Sequence, residues 1–130
     1  MIGDLKEENL ISKDIGPGNC LIDEWMRRNK KGNYDKNGEA ASIGNTNELI
    51  LNQALEDFEN ITDININSFD VNDFEINFLR GLDLEDGAST ITDFTSNIIA
   101  SKLLNEISKS DLKISKIILC GGGRKNKTLI

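Results

Sequence analysis

Three short stretches of this 130-residue chain hold residue types that could do chemistry. The first is Asp14-Ile15-Gly16-Pro17-Gly18-Asn19, an acidic residue followed by a glycine and proline turn. Glycine supplies positive φ and proline fixes φ, so the chain reverses sharply there. A strand ending in that carboxylate would set it at the carboxyl end of a sheet, where α/β folds bind ligands. The glycines would let backbone N–H groups approach phosphate oxygens closely, with a helix N-terminus behind them. The same residues also read as an ordinary strand-to-helix turn with Asp14 as a capping group. The second stretch is Leu119-Cys120-Gly121-Gly122-Gly123-Arg124-Lys125-Asn126, whose three glycines suit a nucleotide lying against backbone and equally suit a flexible connection. The third, Arg80 to Ala88, carries Asp83, Glu85 and Asp86, which helix-start electrostatics explain without chemistry.

Gly121 to Thr128 also approaches the P-loop spacing G-x-x-x-x-G-K-[ST]. Asn126 stands where that motif needs its second glycine, and only two residues follow Thr128, too few for the helix whose N–H groups hold the phosphates. The match is read as coincidence.

Composition narrows the chemistry. The chain has no histidine, so imidazole bases, His-based triads and His metal sites are excluded and acid–base work must fall to carboxylates. A net charge of -7 with no basic stripe argues against nucleic acid, which needs clustered Lys and Arg. No apolar run approaches the roughly 20 residues that span a bilayer, so no membrane partner is expected. Met1 to Leu10 is polar and acidic, unlike a signal peptide. Cys20 and Cys120 lie far apart without a CxxC pattern and are expected to be free, buried thiols.

The elements that would position these residues follow from hydrophobic periodicity. Asn9–Lys13 reads as a strand running into the first glycine turn, and Asn19 as the N-cap of a helix over 20–29. Residues 29–45 are polar and glycine-bearing and read as a loop. A second helix is predicted over 47–58, then an Asn/Asp-rich loop over 59–72 with at most one short strand. Asp73–Leu79 could form a short helix stopped by Gly81. The longest periodic stretch predicts a helix over 84–109, with Ile91, Phe94, Ile98, Ile99, Leu103 and Ile107 as its apolar stripe and Gly87 as a weak point. Ile114–Cys120 reads as a strand leading into the second glycine turn, and Asn126–Ile130 as the beginning of a helix. Alternating strand and helix signals predict an α/β arrangement.

Together these segments resemble the anhydro-N-acetylmuramic acid kinase family. The likeness rests on DIGPGNCLIDEW (Asp14–Trp25), GNYDKNGEAA with the later Gly44, LEDGASTITDFTSNIIA (Leu84–Ala100) and LCGGGRKNKTLI (Leu119–Ile130), in family order. The resemblance implies an α/β fold in which residues 1–130 form a single partial actin-like (ribonuclease H-like) kinase lobe, a mixed sheet with flanking helices. It implies ATP and Mg²⁺ as cofactors and a small-molecule amino sugar as the other partner. The implied reaction uses ATP and water to convert 1,6-anhydro-N-acetylmuramic acid to N-acetylmuramic acid 6-phosphate in cell-wall recycling, in the cytoplasm. A homodimer is compatible with it.

Carried over by position, Asp14 matches the family's catalytic carboxylate, a general base on the attacking water. Gly16, Gly18 and Asn19 match the turn lining the phosphates, and Gly121, Gly122 and Gly123 match the adenosine-side loop. Nothing before Asp14 resembles the phosphate loop of the family's N-terminal lobe, and the stretch that follows Ile130 in full members is missing. Asn67-Ser68-Phe69-Asp70 stands where relatives usually show Lys-Ser. The isolated chain is therefore expected to lack turnover, since positioning is most of phosphoryl-transfer catalysis. A nucleotide-binding remnant without activity is the alternative.

Overall fold

The computed structural model describes residues 16–62, 75–109 and 116–130. Four α-helices stand in these segments: α1 (Cys20–Arg28), α2 (Glu39–Ile43), α3 (Glu48–Thr62) and α4 (Leu84–Lys109). Short 3₁₀ turns occupy Lys36–Gly38, Asn77–Leu79 and Gly122–Lys125. Helix α1 forms because Leu21, Ile22, Trp25 and Met26 recur on one face, all buried, while Asp23 in its first turn and Arg27 and Arg28 in its last complement the helix dipole. Helix α3 buries Leu51, Ala54 and Phe58 at the same kind of spacing.

Helix α4 is the centre of the fold, with α1, α2 and α3 all packed on it. Its N-terminal half is enclosed on every side: Gly87, Ala88, Ser89, Thr90, Ile91, Thr92, Phe94, Thr95 and Ile98 are all buried. A buried hydroxyl needs a partner, and most find one. Thr90 Oγ1 donates to the Asp86 carbonyl (2.7 Å) and Thr95 Oγ1 to the Ile91 carbonyl (2.8 Å). The link between α2 and α3 is stitched to the same helix. Asn45 N donates to Asp86 Oδ1 (2.7 Å), Asn47 N donates to Thr90 Oγ1 (3.0 Å), and the Thr46 hydroxyl bonds Ser89 (2.8 Å) and the Asp93 carboxylate.

Two glycines permit this closeness. A Cβ at Gly44 would lie 1.9 Å from the Glu85 carbonyl oxygen, and one at Gly87 would lie 2.1 Å from Trp25 Cζ2. With no side chain at 87, Trp25 lies across α4 and its Nε1 donates to the Leu84 carbonyl (2.9 Å). On the far side, Phe94 packs edge-on to Phe58 at 6.2 Å and against Phe78 at 5.2 Å.

The mixed sheet predicted from the sequence is not what the structure shows: the described residues are helices, turns and irregular chain, with no strand among them. Asn9–Lys13 lies outside the described residues, as does the start of the second predicted strand, Ile114 and Ser115. Residues 116–120 of that strand run without regular structure, and Ile117, Ile118 and Leu119 are exposed. The physical reason is that a strand exists only through a neighbour. An apolar β-rich run with no strand paired to it among the described residues gains neither a hydrogen-bond ladder nor burial. The α/β expectation is therefore corrected to a helical architecture for the described residues.

The predicted helices over 20–29, 47–58 and 84–109 are present, α3 being four residues longer at its end. Helix α2 stands inside the predicted loop, and at the end of the chain the helical turn falls at Gly122–Lys125 instead of at Asn126–Ile130. Both cysteines are free, with Cys20 half-buried and Cys120 exposed instead of buried. No described helix is long and apolar enough to cross a membrane.

Candidate functional site

The turn before α1 and the glycine turn near the end of the chain come together on one cleft. Gly18 takes φ +56° and delivers the chain into α1. Gly16 is seated against α4, a Cβ there falling 3.1 Å from Ile98 Cγ2. Asn19 occupies the N-cap position of α1 but makes no side-chain capping bond. Its amide nitrogen donates instead to Asp23 Oδ2 (2.7 Å), one turn along the helix. Its Oδ1 lies 3.5 Å from where a Cβ of Gly123 would stand. Leaving a cap unmade forgoes about 0.5–2 kcal/mol, so the cleft has claimed a side chain that helix stability alone would use otherwise.

A third loop completes the walls. Asp35 is buried, with Oδ1 accepting from Ala40 N (2.9 Å) and Oδ2 from Ala41 N (3.0 Å), so it holds the first turn of α2. Asn37 and Gly38 both take left-handed backbone, φ 59° and 78°, reversing the chain between them. This reversal is clamped to the C-terminal turn: Lys127 N donates to the Asn37 carbonyl (3.1 Å) and Thr128 Oγ1 to the Gly38 carbonyl (2.9 Å). Asn126, itself buried, accepts from Thr128 N and Leu129 N through Oδ1, both at 3.1 Å. A Cβ at Gly38 would sit 2.2 Å from that same oxygen.

The open cleft has a volume of about 400 Å³ and is lined by Asn19, Asp23, the Tyr34–Asn37 loop, Gly122, Gly123, Lys125 and Asn126. That is within the usual range for small-molecule sites. Its chemistry is mixed: backbone exposed at two glycines, an Asp23 carboxyl, two lysines, and the Tyr34 ring held at the rim though largely exposed. Burial pushes the Asp23 carboxyl above its ordinary value, against the opposing pull of the Asn19 amide and the Arg27 charge.

Of the residues singled out from sequence, Asn19, Gly122 and Gly123 line this cleft together, while Gly16 packs behind it on α4. Gly18 and Gly121 shape the two turns through positive φ without lining it. Asp14 lies outside the described residues, as does Asn67–Asp70. Asp23, Tyr34, Asp35, Lys36 and Asn37 were not singled out as site residues, and Lys125 and Asn126 entered only as part of the second glycine-bearing stretch. The signals that could have found them are the Asn19–Asp23 spacing of four on a helix and the Asn37-Gly38 pair, a strong marker of tight reversal. No group of three or more His, Cys, Asp or Glu side chains that could hold a metal occurs among the described residues.

A family model described as anhydro-N-acetylmuramic acid kinase matches residues 5–130 of the chain. Among similar curated proteins, an anhydro-N-acetylmuramic acid kinase of Pelagibacter ubique (strain HTCC1062) is 50% identical over 123 residues, covering 95% of this chain and 33% of the relative. The protein of that name from Zymomonas mobilis is 36% identical over 124 residues, with 95% and 33% covered. One from Shewanella sp. (strain MR-4) is 32% identical over 129 residues, with 95% and 34% covered. The chain thus spans about a third of the length of the curated relatives it matches.

Proposed function

The chain belongs to the anhydro-N-acetylmuramic acid kinase family, and from that premise we propose that its cleft is the nucleotide-binding part of a sugar kinase site. The reaction is the ATP-dependent hydrolytic opening and 6-phosphorylation of 1,6-anhydro-N-acetylmuramic acid, a step of peptidoglycan recycling in the cytoplasm. One observation carries this reading: Asn19 and Gly123, from opposite ends of the described chain, lie against one another in the lining of one cleft of nucleotide-compatible size. Glycine at 122 and 123 lets a flat, bulky ligand approach main chain that any side chain would hold off.

The residues fit ATP. Gly122 and Gly123 would lie along the nucleoside, and Lys36 and Lys125 offer positive charge to its phosphates. Mg²⁺ would be held mainly by those phosphates, since such ions keep several waters and need few protein carboxylates. When bound, ATP supplies the phosphoryl group. Asp14, by its place in the family-like turn, takes the proton from the water that attacks the anomeric carbon. In a chain without histidine a carboxylate is the side chain available for that work. Gly18, at φ +56°, shapes the turn that follows Asp14 in the sequence.

The test is a chimera in which this chain replaces the matching third of the Pelagibacter ubique relative. It should phosphorylate anhydro-N-acetylmuramic acid, and Asp14→Asn should remove most of kcat while ATP affinity changes little. A chimera that folds and binds ATP but keeps near-normal kcat with Asp14→Asn would return Asp14 to the status of a turn residue.

A further inference from the structure

Asp23 is a carboxyl on the cleft wall with only one of its two oxygens hydrogen-bonded among the described residues. Oδ2 accepts from the Asn19 amide at 2.7 Å. Among the described residues no donor reaches Oδ1, and Arg27 acts on the group by charge alone. The side chain is half-buried and shares the cleft with Gly122 and Gly123. A half-buried carboxylate oxygen at a ligand cleft has acceptor capacity left for a donor on a bound molecule.

We propose that Asp23 accepts hydrogen bonds from the ribose hydroxyls of the bound nucleotide, with Asn19 as the positioning residue that holds its carboxyl in place. The inference rests on the nucleotide reading of the cleft and adds to it which part of the ligand meets Asp23. Like charges repel, so the phosphates are held away from Asp23, while Lys36 and Lys125 in the same cleft attract them. The neutral part of a nucleotide richest in donors is its pair of adjacent sugar hydroxyls. A carboxylate takes such O–H donors in short, charge-assisted bonds.

Asn19 supplies the second, independent sign. It stands at an N-cap and leaves the cap unmade, its amide nitrogen committed to Asp23 and its oxygen turned toward Gly123. An asparagine serving only the helix would bond the backbone N–H of the first turn. Its i to i+4 bond fixes one carboxyl oxygen and thereby aims the other. Asp23→Ala removes the acceptor, whereas Asn19→Ala leaves the acceptor present and unaimed.

The experiment compares ATP with 2′,3′-dideoxy-ATP by calorimetry on the 130-residue chain, for the natural sequence, Asp23→Ala and Asn19→Ala. The natural chain should bind ATP about tenfold more tightly than the dideoxy analogue, the factor expected for one or two hydrogen bonds to a charged acceptor. Asp23→Ala should bring ATP down to the analogue's affinity and leave the analogue unchanged, and Asn19→Ala should lose part of the preference. Equal weakening of both nucleotides by Asp23→Ala, with helical circular dichroism retained, would assign Asp23 a structural role and overturn the proposal. So would a natural chain that binds both equally. Loss of preference for ATP over ITP instead would move the contact to the base amine and overturn it as well. A folded natural chain that binds no nucleotide would sink the nucleotide reading itself, a result distinct from the others.

Discussion

The indole of Trp25 occupies the space that a side chain at position 87 would need, with Cζ2 lying 2.1 Å from where a Gly87 Cβ would be built. This contact locks α1, which carries Asn19 and Asp23 at its start, to the N-terminal end of α4. Gly87→Ala should therefore lower stability by about 1–3 kcal/mol, the usual cost of an overpacked core. This runs opposite to the gain expected when a mid-helix glycine becomes alanine on an open face. Denaturant unfolding followed by Trp25 fluorescence reads it directly, and a stabilised variant would show that the ring has room to move.

Thr92 offers the opposite case. It is fully buried on α4, and its Oγ1 has no hydrogen-bond partner among the described residues. Thr92→Val keeps the branched shape and removes a desolvated hydroxyl, so stability should rise by about 1 kcal/mol. The equivalent change at Thr95, whose hydroxyl donates to the Ile91 carbonyl, should bring no such gain. Midpoints from urea unfolding of the two variants separate them. A destabilised Thr92→Val would mean that the hydroxyl has a partner.

Burial raises the Asp23 carboxyl above its ordinary value of 3.8 in the folded chain, so folding favours the protonated form. The matching stability is fully present below pH 3.8 and is lost as pH rises through the raised folded value. Asp23→Asn keeps an oxygen for the Asn19 amide and removes the charge. Its melting temperature should exceed that of the natural chain at neutral pH, and the difference should vanish toward pH 3.8. A difference that stays constant across this range would remove burial as the cause.

The sequence made three of the four helices legible, because each carries a stripe of Leu, Ile or Phe at helical spacing, and α1 and α4 also carry charges that suit both ends. It misjudged Gly87, since the penalty for a helical glycine is local while the benefit, room for Trp25, comes from a residue far along the chain. Helix α2 was hidden because only Ala41 is buried on it and its first turn is held by Asp35 from outside. The strand reading of Ile114–Cys120 saw β-rich composition correctly, but composition does not supply a pairing partner. At the cleft, the glycine turns announced themselves through backbone needs. Asp23, Lys36 and Lys125 did not, because charged residues on helices and loops look alike until the fold brings them to one cleft.

The most direct test of the account is an amide NMR titration of the ¹⁵N-labelled chain with Mg-ATP. The account predicts that shifts concentrate at Asn19, Asp23, Asn37, Gly122 and Gly123, with amides beside the separate cavity between α3 and α4, near Leu55 and Ser101, left in place. Saturable shifts confined to that second cavity, or none at all in a folded chain, would contradict it.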